Sequence, residues 1–398
     1  MAEQKLSRRR FLQFAGVTTV VVAGGMVWRA ADQGVFNAGR GPAYAAWETW
    51  RTDPTEGSLA LVQAGLLAAS PHNTQPWIFR VTPETIELYA DTDRHLGAMD
   101  PFLREMYLGL GCALENMVLA GEARGYAVDL ALAGGTLATA MAATGLSKVA
   151  TLALTPAVPK PSPLFDAIPN RRTNRYAYTG EPLTDDVFSG FQALNGEEDV
   201  QLFLFHAGTP EFEQFKTGTV AGVNYIVADA QMAHDSFAWF PRSWDEVQEE
   251  KAGPYIDTAG VPPLMRAVVK MVPGMPSQSA VDNAMVADAT THMETASAVG
   301  IIAVRSLYDV GQTLRAGRLW QRMHLWGTNQ GLAMQPHNEM PEVVDREAQL
   351  GHDPRMAAHL AGITGDENWR PTFAFRLGLP TVEPLPSARR PVDEVVMA

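Results

Sequence analysis

The stretch Ser70-Pro71-His72-Asn73-Thr74-Gln75-Pro76-Trp77 constrains the fold most, because it must join a helix to a strand through a stiff turn. Leu59 to Ala69 carries apolar residues at 59, 62, 66 and 67, a helix-period face. The residue before Pro71 disfavours the helical region, so the helix ends at Ser70. Pro76 stiffens the exit, and Trp77-Ile78-Phe79-Arg80-Val81 predicts a buried strand. Two primary amides, Asn73 and Gln75, sit on this turn. Each offers an acceptor and a donor, which suits a planar heterocycle with alternating groups along one edge. A polar loop capped by a core tryptophan is the competing use of the same residues.

The chain has 398 residues, enough for one large or two ordinary domains with a sizeable core. Its net charge is −13, and the residues beyond 45 hold 25 Lys and Arg against 42 Asp and Glu. That acidity excludes nucleic acid and anionic membrane as partners of the body. Cys112 stands alone, which leaves no intrachain disulfide, no cysteine-rich metal site and no thiol pair.

Ser7-Arg8-Arg9-Arg10-Phe11-Leu12-Gln13 precedes a weakly hydrophobic run from Phe14 to Trp28, and Ala43-Tyr44-Ala45 is a small-x-small cleavage candidate. Residues 1–45 therefore resemble a twin-arginine export signal, with a basic tail before a core helix as the alternative. Left uncut, the run is an N-terminal anchor, although Gly24 and Gly25 make it a poor span. The route resembles one for proteins exported already folded, often with a cofactor inside, so a tightly held prosthetic group is expected.

Trp77 to Thr82 and Thr85 to Asp91 predict a hairpin, and Asp100-Pro101 starts a long helix from Leu103 to Arg124. Gly109-Leu110-Gly111 inside that helix is no dinucleotide loop, since no strand-turn-helix precedes it; close helix packing explains it. Residues 126–157 alternate short β-like runs. Four prolines between Pro156 and Pro163 mark a linker, which divides a first half, 46–160, from a second, 165–398.

Past the linker stands Arg171-Arg172-Thr173-Asn174-Arg175. If it opens a helix, Arg171 and Arg175 share a face, and guanidiniums, hydroxyl and helix start make a phosphate site. A solvated basic turn is the alternative. A strand at 201–205 lies between two helices. The aromatic, irregular insertion 237–279 fits a lid over a ligand or a core-packing excursion. Met293 to Leu307 is expected as a buried helix, Thr313 to Gln330 as another, and Leu332 to Pro336 and Phe373 to Gly378 as strands. Arg389-Arg390 in the tail offers a second phosphate clamp. The histidines show no metal-ligand spacing, so no metal is expected.

Together SPHNTQPW, DPFLREMYLGLGCALENMVLAG, RRTNR, LWQRMHLWGTNQGLAMQP, FAFRLGLP and ARRPVDEVV resemble the nitroreductase family, in collinear order over most of residues 56–398. More narrowly the chain resembles the exported, single-chain, Acg-like branch, in which one polypeptide is similar to two fused subunits. The resemblance implies an α+β sandwich, a mostly antiparallel central sheet wrapped by helices, with FMN between two halves. Ordinary members carry an RRSxR element and an NxQPW element in each subunit. Here the first half keeps Asn73 to Trp77 but offers only Arg51 between Glu48 and Thr55. The second keeps Arg171 to Arg175 but no NxQPW. The losses are complementary, which implies one composite site in a fused pseudo-dimer.

Carried over residue by residue, the resemblance puts Arg171, Arg172, Thr173 and Arg175 on the phosphate and ribityl chain, joined by Arg389 or Arg390. Asn73 and Gln75 would meet the ring or ribityl hydroxyls, His72 would shape the pocket, and an amide of Gln335 would approach the reactive flavin nitrogen. It implies no protein acid, base or nucleophile. The expected activity is a ping-pong flavin oxidoreductase with a small-molecule donor and a nitroaromatic or quinone acceptor, acting outside the cytoplasm. The alternative is a protein that sequesters FMN beneath a lid.

Overall fold

The computed structural model describes residues 25–52 and 56–397; the Arg8-Arg9-Arg10 stretch lies outside the described residues. Among the described residues eight strands form two antiparallel sheets, so the chain is α+β as expected. The first sheet contains β1 (Trp77–Val81), β2 (Thr85–Asp91), β3 (Tyr126–Leu132) and β4 (Leu146–Pro156), in the order β1-β2-β4-β3. The second contains β5 (Val200–His206), β6 (Ala298–Val304), β7 (Ala333–Pro336) and β8 (Arg370–Gly378), in the order β5-β6-β8-β7. The same strand order recurs, so each sheet repeats the topology of the other.

The local sequence explains these elements. β2 alternates, with Ile86, Leu88 and Ala90 inward, as a one-sided antiparallel strand requires. β6 is buried at every position and rich in Val and Ile. This corrects the expectation of a helix over 293–307. A helix, Gln278–Thr295, does cover the start of that run, but the chain leaves it and the β-branched residues enter the centre of the sheet. A short, wholly apolar run has no periodicity to separate strand from helix.

The two longest helices among the described residues, Arg104–Ala123 and Val310–Asn329, bind the halves together. They cross at Gly111 and Gly317. A Cβ on Gly111 would collide with the carbonyl of Leu314, and one on Gly317 with that of Leu108. The offsets match, glycine to the leucine three residues earlier on the facing helix, as a local two-fold between equivalent helices demands. Gly111 thus serves close packing, as its sequence context suggested. Glu115 ties the same interface to Arg318 at 3.0 Å and Arg322 at 2.8 Å, and Gln321 donates to Asn116 Oδ1 at 2.8 Å. Asp100 starts the first of these helices by accepting the N–H groups of Glu105 at 3.0 Å and Met106 at 2.9 Å.

The insertion folds as short helices, among them Trp244–Glu250 and Pro263–Met271, and the N-terminal segment lies across it. Arg29 Nε donates to Met271 O at 2.8 Å and Lys270 Nζ to Gly34 O at 3.2 Å. Ala43 and Tyr44 are buried, and Ala43 O accepts the Arg389 N–H at 2.7 Å, so a cut after Ala45 would remove a contact of the C-terminal tail. No described helix is long and apolar enough to cross a membrane.

Candidate functional site

The turn after the Leu59–Leu66 helix carries three non-glycine residues at positive φ: His72 at 44°, Asn73 at 53° and Gln75 at 51°. Each costs on the order of 1 kcal/mol, and such strain persists where surrounding bonds over-determine it. Ser70 Oγ accepts the Gln75 N–H at 3.1 Å, Arg94 Nε donates to Thr74 O at 2.6 Å, and Asn73 Nδ2 donates to Ala388 O at 3.0 Å. Gln75 is wholly buried: its Nε2 donates to Lys251 O at 2.7 Å and its Oε1 accepts the Arg390 N–H at 2.8 Å. Its amide therefore braces the turn. Gln75 and Arg390 stand behind the wall of the cavity and do not line it.

That cavity has a volume of about 480 Å³, and its wall includes His72, Asn73, Arg171, Arg172, Thr173, Arg175, Gln335 and Arg389. Residues 171–175 do not open a helix. They run as irregular chain after the short helix Pro163–Ala167, and the guanidiniums are held one by one instead of along a helical face. Arg171 Nη2 donates to Leu67 O at 3.2 Å, and Arg389 Nη2 donates to Ala68 O at 3.1 Å. Both carbonyls lie at the C-terminal end of the Leu59–Leu66 helix, where the helix dipole favours cations. Arg389 Nη1 also donates to Asn73 Oδ1 at 2.6 Å, joining tail to turn. Arg172 lies 3.7 Å over the Trp47 ring and Arg389 4.9 Å over it. Arg175 Nη1 donates to Thr258 O at 3.2 Å.

Arg171 and Arg389 are each only 3% exposed, and the Nε of each lacks a hydrogen-bond partner. No described carboxylate lies within ion-pair distance of Arg171, Arg175 or Arg389. Burial pulls Arg171 down to about 10 and lowers Arg389 well below the usual guanidinium range, with Arg171 and Arg172 adding repulsion. Burial, helped by Arg175, lowers His72 to about 4. His72 is thus neutral at pH 7, and its Nε2 lies 2.9 Å from Ser236 Oγ. Arg171 and Arg389, buried side by side without a described counter-charge and each with an N–H left over, are chemically suited to an anion.

Gln335 reaches the wall with its side-chain Oε1 held by Arg376 Nε at 2.8 Å. Its peptide N–H does not face the cavity. His337 N–H bonds Ala374 O at 2.8 Å and Gln335 pairs with Arg376, so the alternation of the ladder turns the Gln335 N–H toward β8. The Cys112 thiol also lines the cavity, but burial pushes it up to about 12, so it offers no thiolate.

Beyond the expected residues, the wall includes Glu105, Glu342, His337 and His292, and apolar surface from Trp320, Phe373, Met265 and Val269. Sequence spacing could not find the carboxyls, because Glu105 and Glu342 come from helices of different halves. Burial lowers His292 to about 2, Arg376 and His337 contributing, and its Nε2 donates to Arg175 O at 2.8 Å. Among the described residues no group of three or more His, Cys, Asp or Glu is placed to hold a metal ion.

No family model matches the chain. Over 147 residues it is 34% identical to the provisionally named NAD(P)H nitroreductase Rv3131 of Mycobacterium tuberculosis, a match covering 36% of this chain and 40% of that protein. Over 64 residues it is 41% identical to the provisionally named NAD(P)H nitroreductase acg of the same species, covering 16% and 19%. The chain thus spans two fifths or less of the length of these curated relatives. Among solved structures, it is similar to the FMN-dependent nitroreductase NfnB of Mycobacterium smegmatis, crystallised with NADPH. That likeness has 13% identity and a TM-score of 0.36, over 59% of this chain and 97% of that one. The FMN- and NADPH-dependent nitroreductase NfnB of a Sphingopyxis strain gives 14% identity and a TM-score of 0.39, over 59% and 98%. Over about a third of its length, then, this chain is a sequence relative of proteins named as nitroreductases.

Proposed function

We propose that the chain is an FMN-dependent, nitroreductase-like oxidoreductase that acts outside the cytoplasm on a small acceptor, a nitroaromatic or a quinone. The observation that carries this reading is the buried guanidinium cluster: Arg171 and Arg389 each keep an Nε without a partner beside an apolar-walled cavity of about 480 Å³. That volume lies within the range of cofactor sites. The residues fit a flavin mononucleotide. Arg171, Arg172, Arg175 and Arg389 would hold the phosphate with the Thr173 hydroxyl, and Trp320 and Phe373 would exclude water from the ring. When bound, the flavin supplies two-electron transfer. The protein would anchor the phosphate through the guanidinium cluster, and a small acceptor would have to share the apolar part of the cavity with the ring. The Arg8-Arg9-Arg10 stretch supports export by the twin-arginine machinery, which separates the protein from cytoplasmic NAD(P)H and calls for another small-molecule donor.

A second reading is favoured by one observation: the insertion supplies Ile256, Val261, Met265, Val269 and Met275 to the wall. A segment wrapped over the site suits a protein that sequesters FMN. An absorption spectrum of the purified protein, followed anaerobically by NADH, NADPH and a quinol, separates the two. A yellow protein bleached by a donor and recoloured by menadione is the expected result. A yellow protein reduced by dithionite alone would support sequestration, and a protein that takes up no FMN would overturn both.

A further inference from the structure

At the part of the wall formed by Glu105, Asn338 and Glu342 the chemistry reverses. Glu105, 4% exposed, lies in the first turn of the Arg104–Ala123 helix; Glu342, 6% exposed, lies in the Glu339–Leu350 helix. The two carboxyls are neighbours in one wall and Asn338 links them: its Nδ2 donates to Glu105 Oε1 at 2.8 Å and its backbone carbonyl accepts the Glu342 N–H at 2.9 Å. Two buried neighbouring carboxyls share a proton more readily than they carry two charges. The surrounding charges agree. The cluster contains Asp100, Asp345, Glu105 and Glu342 beside the buried guanidinium of Arg104, which pairs with Asp345 at 2.7 Å. Asp100 is satisfied by two peptide N–H groups, and Tyr308 donates to Asp345 Oδ1 at 2.9 Å. Arg104 also lowers both glutamates, but burial outweighs it.

A second feature points into the same space. His337 is 2% exposed and lines the cavity, yet neither ring nitrogen has a hydrogen-bond partner; Nδ1 lies 3.3 Å from Glu339 Oε1 without bonding geometry. Glu339 Oε2 is likewise unpartnered. A buried imidazole left without a partner in a cavity wall is available to a ligand.

We propose that the Glu105–Glu342 carboxyl pair is the proton donor of the cavity, passing one proton to an oxygen of the bound acceptor while His337 orients that acceptor. The proposal rests on the flavin reading. A quinone reduced by hydride transfer would carry one negative charge. The O–H of the pair breaks as an O–H on the acceptor oxygen forms, the pair is left as a carboxylate, and solvent restores its proton. The acceptor class is therefore a neutral aromatic with a carbonyl or nitro oxygen, since an acidic O–H offers nothing to a cationic group. Burial raises both glutamates, with Asp100 and Asp345 adding to it at Glu105, which reaches about 8, and Glu105 and Glu339 adding to it at Glu342; this keeps the proton in place at neutral pH.

The test has two readouts. In the ligand-free protein at neutral pH, the infrared spectrum should show a carboxylic-acid C=O stretch that shifts in deuterated water and weakens in Glu342→Gln; its absence would overturn the pair. In the FMN-loaded protein reduced with dithionite, rapid-mixing oxidation by menadione should slow at least tenfold in Glu342→Gln and lose its solvent-deuterium effect. General acid catalysis contributes ~10²–10⁴-fold. Glu342→Asp should recover part of the rate. An unchanged oxidation rate would overturn proton delivery. A protein that takes up no FMN would overturn the flavin reading and delivery with it, and the infrared band would still report on the pair.

Discussion

Replacing Arg171 with methionine should move stability and ligand affinity in opposite directions. In the ligand-free protein Arg171 is a buried cation whose one hydrogen bond of ordinary length, apart from a 3.4 Å approach to His324 Nδ1, is to Leu67 O at 3.2 Å. Burying a charge without a counter-charge costs several kcal/mol, and replacing buried ionic groups with apolar side chains stabilises proteins by ~1–4 kcal/mol. Against this, the variant strands one carbonyl, at ~1–2 kcal/mol. At the mid-points of these ranges the ligand-free variant should therefore be more stable by about 1 kcal/mol in urea denaturation. With FMN bound, the same guanidinium would make charge-assisted bonds to phosphate worth ~1.5–3 kcal/mol, so affinity should fall roughly 10- to 150-fold by titration calorimetry. A ligand-free variant that is less stable, together with unchanged FMN affinity, would refute the anion-site argument.

Gly317→Ala should destabilise the protein by at least ~1–3 kcal/mol, because its Cβ would collide with the backbone carbonyl of Leu108 at the helix crossing. Thermal denaturation checks this; an unchanged melting temperature would remove the close crossing. Glu105→Gln addresses pH. Glu105 is raised from an ordinary 4.5 to about 8, so between those values the unfolded chain ionises while the folded one keeps its proton, and wild-type stability is lost as pH rises through that window. The variant should lose this component, read as a smaller stability difference between about pH 5 and about pH 8. Arg8→Lys with Arg9→Lys should retain the precursor in the cytoplasm of an export-competent host, as cell fractionation would show.

The turn, the hairpin and the long helices were legible because proline, glycine and periodic apolar residues act locally. Asn73 and Gln75 were found for their amide chemistry. Sequence could not tell that Gln75 is consumed by Lys251 O and the Arg390 N–H, partners far along the chain. The RRTNR element was visible as an excess of charge in an acidic body. Its irregular backbone was not, because it is set by contacts with Leu67, Thr258 and Trp47. β6 reads as part of a helix in sequence because a run buried on all sides carries no period. The Glu105–Glu342 pair left no signal at all, since its partners meet only when the halves come together.

The most direct measurement compares FMN with riboflavin in titration calorimetry of the ligand-free protein. The two ligands share the ring and the ribityl chain and differ in the phosphate alone. If Arg171, Arg172, Arg175 and Arg389 form its seat, FMN should bind at least about 100-fold more tightly, ~2.7 kcal/mol, and the difference should shrink with added salt. Equal affinities, or no binding of either, would contradict the account.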